Sequence, residues 1–359
     1  MSIRYNKDNV RATNGPLIFF SDASSKEGFA EEVRGALISG LSFYAYRLPG
    51  DFMISYGSSE GFVEGIKEAG FVIGTFDTEK QIITIPYRGI NKPLKLPFQY
   101  HFPNFSTSYD DYCSELDEII NKLKFIPYGK VVAARVKIIE EPLDLADTFF
   151  YFCRKFPDCM IFCFSTPATG CWIGASPELL LEGNGKTLNT MALAGTRLSS
   201  QDTKWDSKNI EEQKIVTDYI GEVFKSNGLL PRIEKAYTKK SGNIEHICTP
   251  ISTEILDEDF SLLSLLKNLA PTPALCGYPK NIAYQVIKEN EKFDRGCYGG
   301  FCGPFHSINN FHFNVIIRCS AVEQLRYCVY AGGGITSASK IEEEWEETEL
   351  KIHNTFGLK

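Results

Sequence analysis

A chain of 359 residues with 43% hydrophobic, 13% aromatic and 23% charged side chains can bury a large core, which excludes a disordered or low-complexity protein. A net charge of -7 with no Lys/Arg block excludes a nucleic-acid or anionic-membrane surface, because those partners require a concentrated positive patch. No uninterrupted apolar run reaches about 18 residues, so no membrane-spanning helix is expected.

Residues 1 to about 105 alternate short strand-like runs (LIFF, YAYRL, QIITIPYRGI) with Gly-bearing turns and at most two short helices. From Tyr109 to Lys124 the apolar residues Leu116, Ile119, Ile120 and Leu123 mark one face of an amphipathic helix. PYG then breaks the pattern and KVVAARVKI begins a strand. Further on, a helix is predicted over Asp144–Phe156, with strands around Met160–Phe164, Cys171–Ile173 and Thr187–Met191 and a helix near Trp205–Lys225. Strands near Arg232–Tyr237 and Ile244–Cys248 precede helices over Phe260–Leu269 and Ile282–Asn290. The β-rich stretches FHFNVIIRC and QLRYCVYAG lead to a final helix from Ser339. Strands arrive in adjacent pairs more often than singly between helices, which predicts an α+β fold with antiparallel sheets. No linker or repeat interrupts the chain, so residues 1–359 are read as one domain.

Eleven cysteines show no CxxC pair, and MSIRYNKDNVRATN lacks an apolar leader region. They read as reduced, buried thiols of a cytoplasmic protein, and neither Cys pairs nor an HxxxH spacing suggests structural zinc.

Several residues could carry chemistry. Lys130 opens KVVAARVKI and shares a strand face with Val132, Ala134 and Val136. It either snorkels to the rim or is desolvated, with its pKa lowered from about 10.4 toward neutrality so that it can act as a general base. Glu178, in GASPELLLE, follows the turn residues Gly174 and Pro177; it either points to water or is partly buried as a general acid. An acid and a base on opposite faces of one substrate suit addition of water on one side and loss of hydroxide on the other. LAPTPALCGYPK holds three prolines and one glycine in twelve residues, too rigid for a plain linker. GGGI, Gly332–Ile335, follows a strand, and its glycines let backbone N–H groups approach an anion. Arg318 ends the strand NVIIR as either a carboxylate fork or a structural ion pair. His246, in IEHICTPI, fits a core residue and a catalytic one equally.

The ordered motifs KVVAAR, GASPELLL, MALAGTR, EHICTPI, PTPALCGYPK, EKFDRGCYGG, IIRC, YAGGGI and EWEETELK resemble those of the chorismate-utilising enzymes, which include isochorismate, salicylate, anthranilate and aminodeoxychorismate synthases. The resemblance covers residues 125–359, and the first 120 residues share only general character. It implies the fold of anthranilate synthase component I, with large antiparallel sheets flanked by helices around a central cleft. Ammonia-adding members resemble one another in carrying Gln where this chain has Lys130, so Lys130 points to the water-adding branch. Ala194 disfavours the variant with a nucleophilic lysine there, and Pro271–Ala274 resembles the isochorismate synthases, although Ala270 departs from the family's usual histidine. The implied reaction is chorismate to isochorismate, with Lys130 as base, Glu178 as acid, and Thr196 and His246 positioning the ring. Arg318, with Tyr298 or Tyr330 near it, would take the enolpyruvyl carboxylate. The ring carboxylate would meet Mg²⁺ and the backbone amides of Gly333, Gly334 and Ile335. The resemblance also implies a monomer with no glutaminase subunit.

Mg²⁺ takes oxygen ligands, commonly one or two carboxylates. Glu212 in NIEEQKIV matches the family's first ligand and Glu347 its second, while Gln213 replaces a family histidine. In EEEWEETELK, six of the eight residues from Glu342 to Glu349 are glutamate. On a helix Glu344, Glu347, Thr348 and Lys351 share one side, the predicted metal-facing stripe with Glu344 beside Glu347 and Lys351 one turn on. Glu342, Glu346 and Glu349 fall elsewhere and are expected to serve solubility.

Overall fold

The computed structural model describes residues 17–19, 23–77, 81–88, 99–127, 129–198, 204–241, 244–257 and 259–357. In chain order these form β1 (Leu17–Phe19), α1 (Ala23–Ile38), β2 (Ser42–Arg47), β3 (Met53–Ser59), β4 (Val63–Glu64), β5 (Gly70–Gly74), β6 (Ile82–Pro86), α2 (Tyr109–Leu123), β7 (Lys130–Ile139), α3 (Leu145–Lys155), β8 (Met160–Thr166), β9 (Gly170–Ser176) and β10 (Leu179–Asn184). There follow β11 (Thr187–Leu198), α4 (Ser207–Ser226), β12 (Arg232–Ile233), β13 (Tyr237–Ser241), β14 (Ile244–Glu254), α5 (Leu262–Leu269), β15 (Gly277–Tyr278), α6 (Lys280–Asn290), β16 (Phe301–Ser307), β17 (Asn310–Val315), β18 (Cys319–Val322), β19 (Tyr327–Ile335) and α7 (Ile341–Phe356).

Two sheets organise these elements. One runs β1-β3-β2-β8-β9-β18-β19-β7-β15, the other β12-β14-β11-β10-β17-β16-β5-β6-β4, with β13 also on β14. All the described pairings are antiparallel, as the adjacent strand pairs of the sequence suggested. The divergent N-terminal part supplies strands to both sheets: β2 pairs β8 in the first, and β5 pairs β16 in the second.

Aromatic side chains fill the space between the sheets. Tyr44 of the first sheet stacks on Phe71 of the second with ring centroids 5.6 Å apart, and Phe164 lies 6.0 Å from the same ring. Burying each such ring contributes roughly 1.5–3 kcal/mol. Outside the first sheet, α1 and α3 pack Phe29, Phe149 and Phe150 together. The apolar face of α2, Tyr112, Leu116, Ile119 and Leu123, covers Val131, Ala133 and Ile335. Ser108 starts that helix by accepting the Asp111 N–H at 3.1 Å.

The sequence reading departs from the structure at identifiable places. Residues 232–237 form two short strands, β12 and the start of β13, in place of one. β10 lacks the polar alternation that marks a strand, because its leucines are buried between β11 and β17. β16 was hidden by Gly303 and Pro304. At Gly303 φ is +155° and a Cβ would lie 1.9 Å from the His312 carbonyl oxygen, so glycine is required within the strand. GGGI does not follow a strand; β19 runs through it to Ile335. Arg318 lies beyond the end of β17 with φ 47°, the one non-glycine residue of positive φ among the described residues.

β7 holds the fold and the site together through its two edges. Its odd-numbered residues bond to β19, opposite Gly333 and Ile335. Its even-numbered residues turn the other way: the Val132 N–H donates to the Cys276 carbonyl at 2.9 Å and the Ala134 N–H to Glu291 Oε1 at 3.0 Å. β15 covers only Lys130 and Val131 on that side. Beyond it the buried Arg295 takes over, donating to the Val132 and Leu275 carbonyls, each at 2.7 Å, and pairing with Glu291. Arg295→Leu would leave the Glu291 carboxylate and two carbonyls buried without their donor, a loss on the order of 3–5 kcal/mol. Urea denaturation is expected to show that loss, and a midpoint equal to the parent's would contradict this role.

Candidate active site

Lys130 begins β7 on the face turned toward the second sheet, only 9% exposed. Its side chain lies flat across β19, where a Cβ on Gly334 would stand 2.4 Å from Lys130 Cε. Its ammonium pairs with Glu212 of α4. On the same face a Cβ on Gly332 would come 2.9 Å from the hydroxyl of Tyr298, whose ring stacks on Tyr330 at 5.4 Å. Side chains at 332 and 334 would fill the space that Lys130 and Tyr298 occupy.

Strand parity also sorts the backbone amides of the glycine run. β18 accompanies β19 only as far as Val329. Because Val132 and Ala134 bond away from β19, their partners Gly334 and Gly332 direct their N–H and C=O groups to the edge that β18 leaves uncovered. The Gly332 carbonyl accepts Lys351 Nζ there at 2.8 Å. Gly333 and Ile335 spend their N–H groups on β7, so of the three amides expected to meet an anion only that of Gly334 faces the open edge.

Glu178 lies between β9 and β10, 7% exposed. Its backbone is fixed by Ser176 Oγ, which accepts its N–H at 3.3 Å, and by the Val315 N–H, which donates to its carbonyl at 3.0 Å. Burial raises its carboxyl pKa to about 7, against the pull of the Thr272 hydroxyl, which donates to Oε1 at 3.3 Å, and of the Lys130 and Lys239 charges. Thr272 belongs to the PTPA turn, and nothing local in the sequence sets its hydroxyl apart until the fold brings it to Glu178.

His246 of β14 places Nδ1 2.9 Å from the Gly195 carbonyl. Burial lowers its pKa to about 4, helped by the charges of Arg318, Lys351 and Lys239. A neutral ring beside a carbonyl carries its proton on Nδ1, which leaves Nε2 as an acceptor for a hydroxyl. Gly195, at φ +69°, brings its carbonyl there, and a Cβ would meet Asn209 Oδ1 of α4 at 2.9 Å. Thr196 follows in β11, but its side chain lies outside the described residues. Arg318 is half-buried, its guanidinium 6.0 Å from the Phe156 ring, and desolvation lowers its pKa. Among the described residues no carboxylate lies within ion-pair distance of it.

The stripe expected on α7 is divided in the structure between a buried pair, Glu344 and Thr348, and an exposed one, Glu347 and Lys351. Glu344 Oε2 sits 2.9 Å from where a Gly333 Cβ would be. That is the opposite face of β19 from Lys130, since successive strand residues point to opposite faces. Glu347 pairs with Lys351 at 2.6 Å at the open edge. Glu349 departs from expectation: it is no solubilising residue but pairs with the buried Arg135, which also donates to Thr348 Oγ1 at 2.6 Å and stacks over Trp345. Gln213, in place of the family's histidine, donates to the Ala192 carbonyl and to Thr249 Oγ1, both at 2.9 Å, and so ties α4 to β11 and β14.

Among the described residues no three His, Cys, Asp or Glu side chains converge as a metal-binding group. The donors still fit Mg²⁺ in kind, because the carboxylate of Glu212 already holds a cation, Lys130, and one or two carboxylates suffice when water and substrate complete the shell.

A buried carboxyl of raised pKa carries a stability signature. Between its ordinary value of 4.5 and about 7 the folded state keeps a proton that the unfolded chain has released. Stability therefore falls as pH rises through that window, by on the order of 3 kcal/mol, and this contribution levels off above it. Glu178→Gln should remove the fall, so denaturation midpoints of parent and variant should diverge from pH 4.5 to 7. Parallel curves would place Glu178 in water.

Among the described residues no helix is long and apolar enough to cross a membrane. Residues 91–356 match the family described as chorismate binding enzymes. Isochorismate synthase EntC of Escherichia coli (strain K12) is 34% identical over 205 residues, covering 53% of this chain and 52% of its own length. Isochorismate synthase MenF of Pasteurella multocida (strain Pm70) is 29% identical over 374 residues, covering 97% of this chain and 84% of its own. The chain spans about half the length of the first curated relatives it matches. The solved structure of MenF, the menaquinone-specific isochorismate synthase from Escherichia coli, superposes with a TM-score of 0.77 at 18% identity over 96% of this chain and 94% of that one. Anthranilate synthase component I from Streptococcus pneumoniae gives 0.63 at 18% identity over 99% and 82%. The fold is thus that of anthranilate synthase component I, and with a family match across most of its length this chain belongs to the chorismate binding enzymes.

Proposed function

We propose that the chain is an isochorismate synthase, an isomerase that converts chorismate to isochorismate for menaquinone or siderophore biosynthesis. The observation that carries this reading is the juxtaposition of a buried lysine with a buried carboxyl that stays protonated to about pH 7. The names of the relatives, EntC and MenF among them, support it.

In this reading Lys130 takes a proton from the water that attacks C2, acting in its uncharged form after its pair with Glu212 opens. Glu178 delivers its proton to the hydroxyl leaving C4. One water enters and one leaves, so no redox partner is needed. His246 Nε2 accepts from a ring hydroxyl beside Thr196, and Arg318 takes the enolpyruvyl carboxylate next to Tyr298. The Gly334 N–H and Lys351 meet the ring carboxylate at the open edge of β19. Glu212 and Glu347, with Glu344 one turn from Glu347 on α7, would hold Mg²⁺, which would supply positive charge against that carboxylate.

We read residues 1–359 as one chorismate-binding domain, since β2 and β5 are paired within sheets built largely from the later strands. We take the protein to be a cytoplasmic monomer without a glutaminase subunit. Nine of its eleven cysteines are buried and all are free, in keeping with a reducing compartment.

Chromatography of reactions containing chorismate and Mg²⁺ tests the assignment. Isochorismate alone is expected, whereas salicylate with pyruvate, or a product that requires ammonia, would overturn it. Lys130→Gln should lower kcat/KM by about 10²–10⁴ with the fold retained, and isochorismate formed at the parental rate would remove Lys130 as the base.

A further inference from the structure

Lys239 lies on β13, a strand whose neighbours give no hint of chemistry. Tyr237 and Lys239 share one face of the strand, and Lys239 stands directly opposite His246 on β14. Directly opposed residues of an antiparallel pair point to the same side, so Lys239 looks into the space that His246 lines. The other side of β14 is covered by α4, through the bond of Gln213 to Thr249.

Its surroundings distinguish it from the other lysines of the hairpin. Lys235 and Lys240 are exposed, and Lys240 has a carboxylate partner, Glu245, at 3.6 Å. Lys239 is half-buried, and its ammonium rests 3.4 Å from the thioether of Met191. Among the described residues no carboxylate lies within ion-pair distance of it. Arg318 shares that condition, and both cations are close enough to His246 and to Cys159 for their charge to be felt there. Lys130 and Lys351, by contrast, are each paired with a glutamate. Two cations that converge on one histidine, with no carboxylate at ion-pair distance among the described residues, are arranged for an anion that arrives with the ligand.

We propose that Lys239 is a substrate-binding residue that shares one carboxylate of the dianionic substrate with Arg318. This rests on the reading above for the identity of the ligand, though not for the reaction performed on it. Lys239 does not touch the reacting atoms, so its contribution belongs to binding and specificity for the dicarboxylate.

The test is steady-state kinetics with chorismate on the full chain as parent, Lys239→Met and Lys239→Arg, together with calorimetric binding of chorismate to Glu178→Gln and to Glu178→Gln/Lys239→Met. Loss of one charge-assisted contact should raise KM and Kd by roughly tenfold or more. The expected kcat for Lys239→Met stays within about threefold of the parent, Lys239→Arg restores most of the KM, and the KM of Lys239→Met responds less to added salt. An unchanged KM and Kd in Lys239→Met would overturn the inference. So would a KM increase that Lys239→Arg shares in full alongside a lowered melting temperature, the mark of a merely structural role. If the parent binds chorismate but forms no isochorismate, while Lys239→Met weakens that binding, the proposed reaction fails and Lys239 stands. If isochorismate forms and Lys239→Met behaves as the parent, the reaction stands and Lys239 falls.

Discussion

The division of β7 between its two edges is the constraint on which the rest of the structure depends. One edge pairs with β19 in a register that sets Gly334 beside Lys130. The other is held first by β15 and then by Arg295 and Glu291, which stand in for a missing strand. Because the even-numbered residues of β7 are committed outward, Gly332 and Gly334 are left to face the edge that β18 does not reach. The open amide, the flat path of Lys130 and the anchor point of Lys351 are thus three results of one strand register. A shift by a single residue would exchange them for the amides and faces of Gly333 and Ile335.

Around this frame the electrostatics are uneven. Glu178 is desolvated enough to keep its proton to about pH 7, and His246 is neutral because it is buried near several cations. Lys130 and Lys351 are balanced by glutamates, whereas Arg318 and Lys239 have no carboxylate at ion-pair distance among the described residues. A small substrate with two negative charges answers that imbalance. The net charge of -7 does not oppose it, since a pocket's field is set by the groups lining it.

The motifs from Lys130 onward were legible because each combines a special backbone residue with a polar one, as in the proline turn before Glu178 and the glycines ahead of the acidic helix. Helical periodicity likewise placed α2, α3 and α7 within a residue or two. What could not be read depends on contacts between distant segments. Thr272 gains its meaning only where the PTPA turn meets Glu178, 94 residues earlier in the chain. Glu349 looked like one more solvated carboxylate, and only the fold shows the buried Arg135 beneath it. The glycine run suggested three available amides, but strand pairing takes two of them. The N-terminal strands were visible as strands, yet nothing local announces that β2 inserts beside β8 or β5 beside β16. Lys239 carries no local signal, because a lysine in a polar hairpin is ordinary until the strand opposite is known.

The proposed role of Lys130 depends on the register of β7 on β19, which lays its side chain across a bare glycine. Turnover of chorismate by Gly334→Ala, measured beside its melting temperature, addresses this most directly. A Cβ there would meet Lys130 Cε at 2.4 Å, so the side chain must leave its path. Removing the proposed base from its place should cost about 10²-fold or more in kcat/KM, with the melting temperature little changed because the strand itself persists. Parental turnover by a folded Gly334→Ala protein would contradict the account.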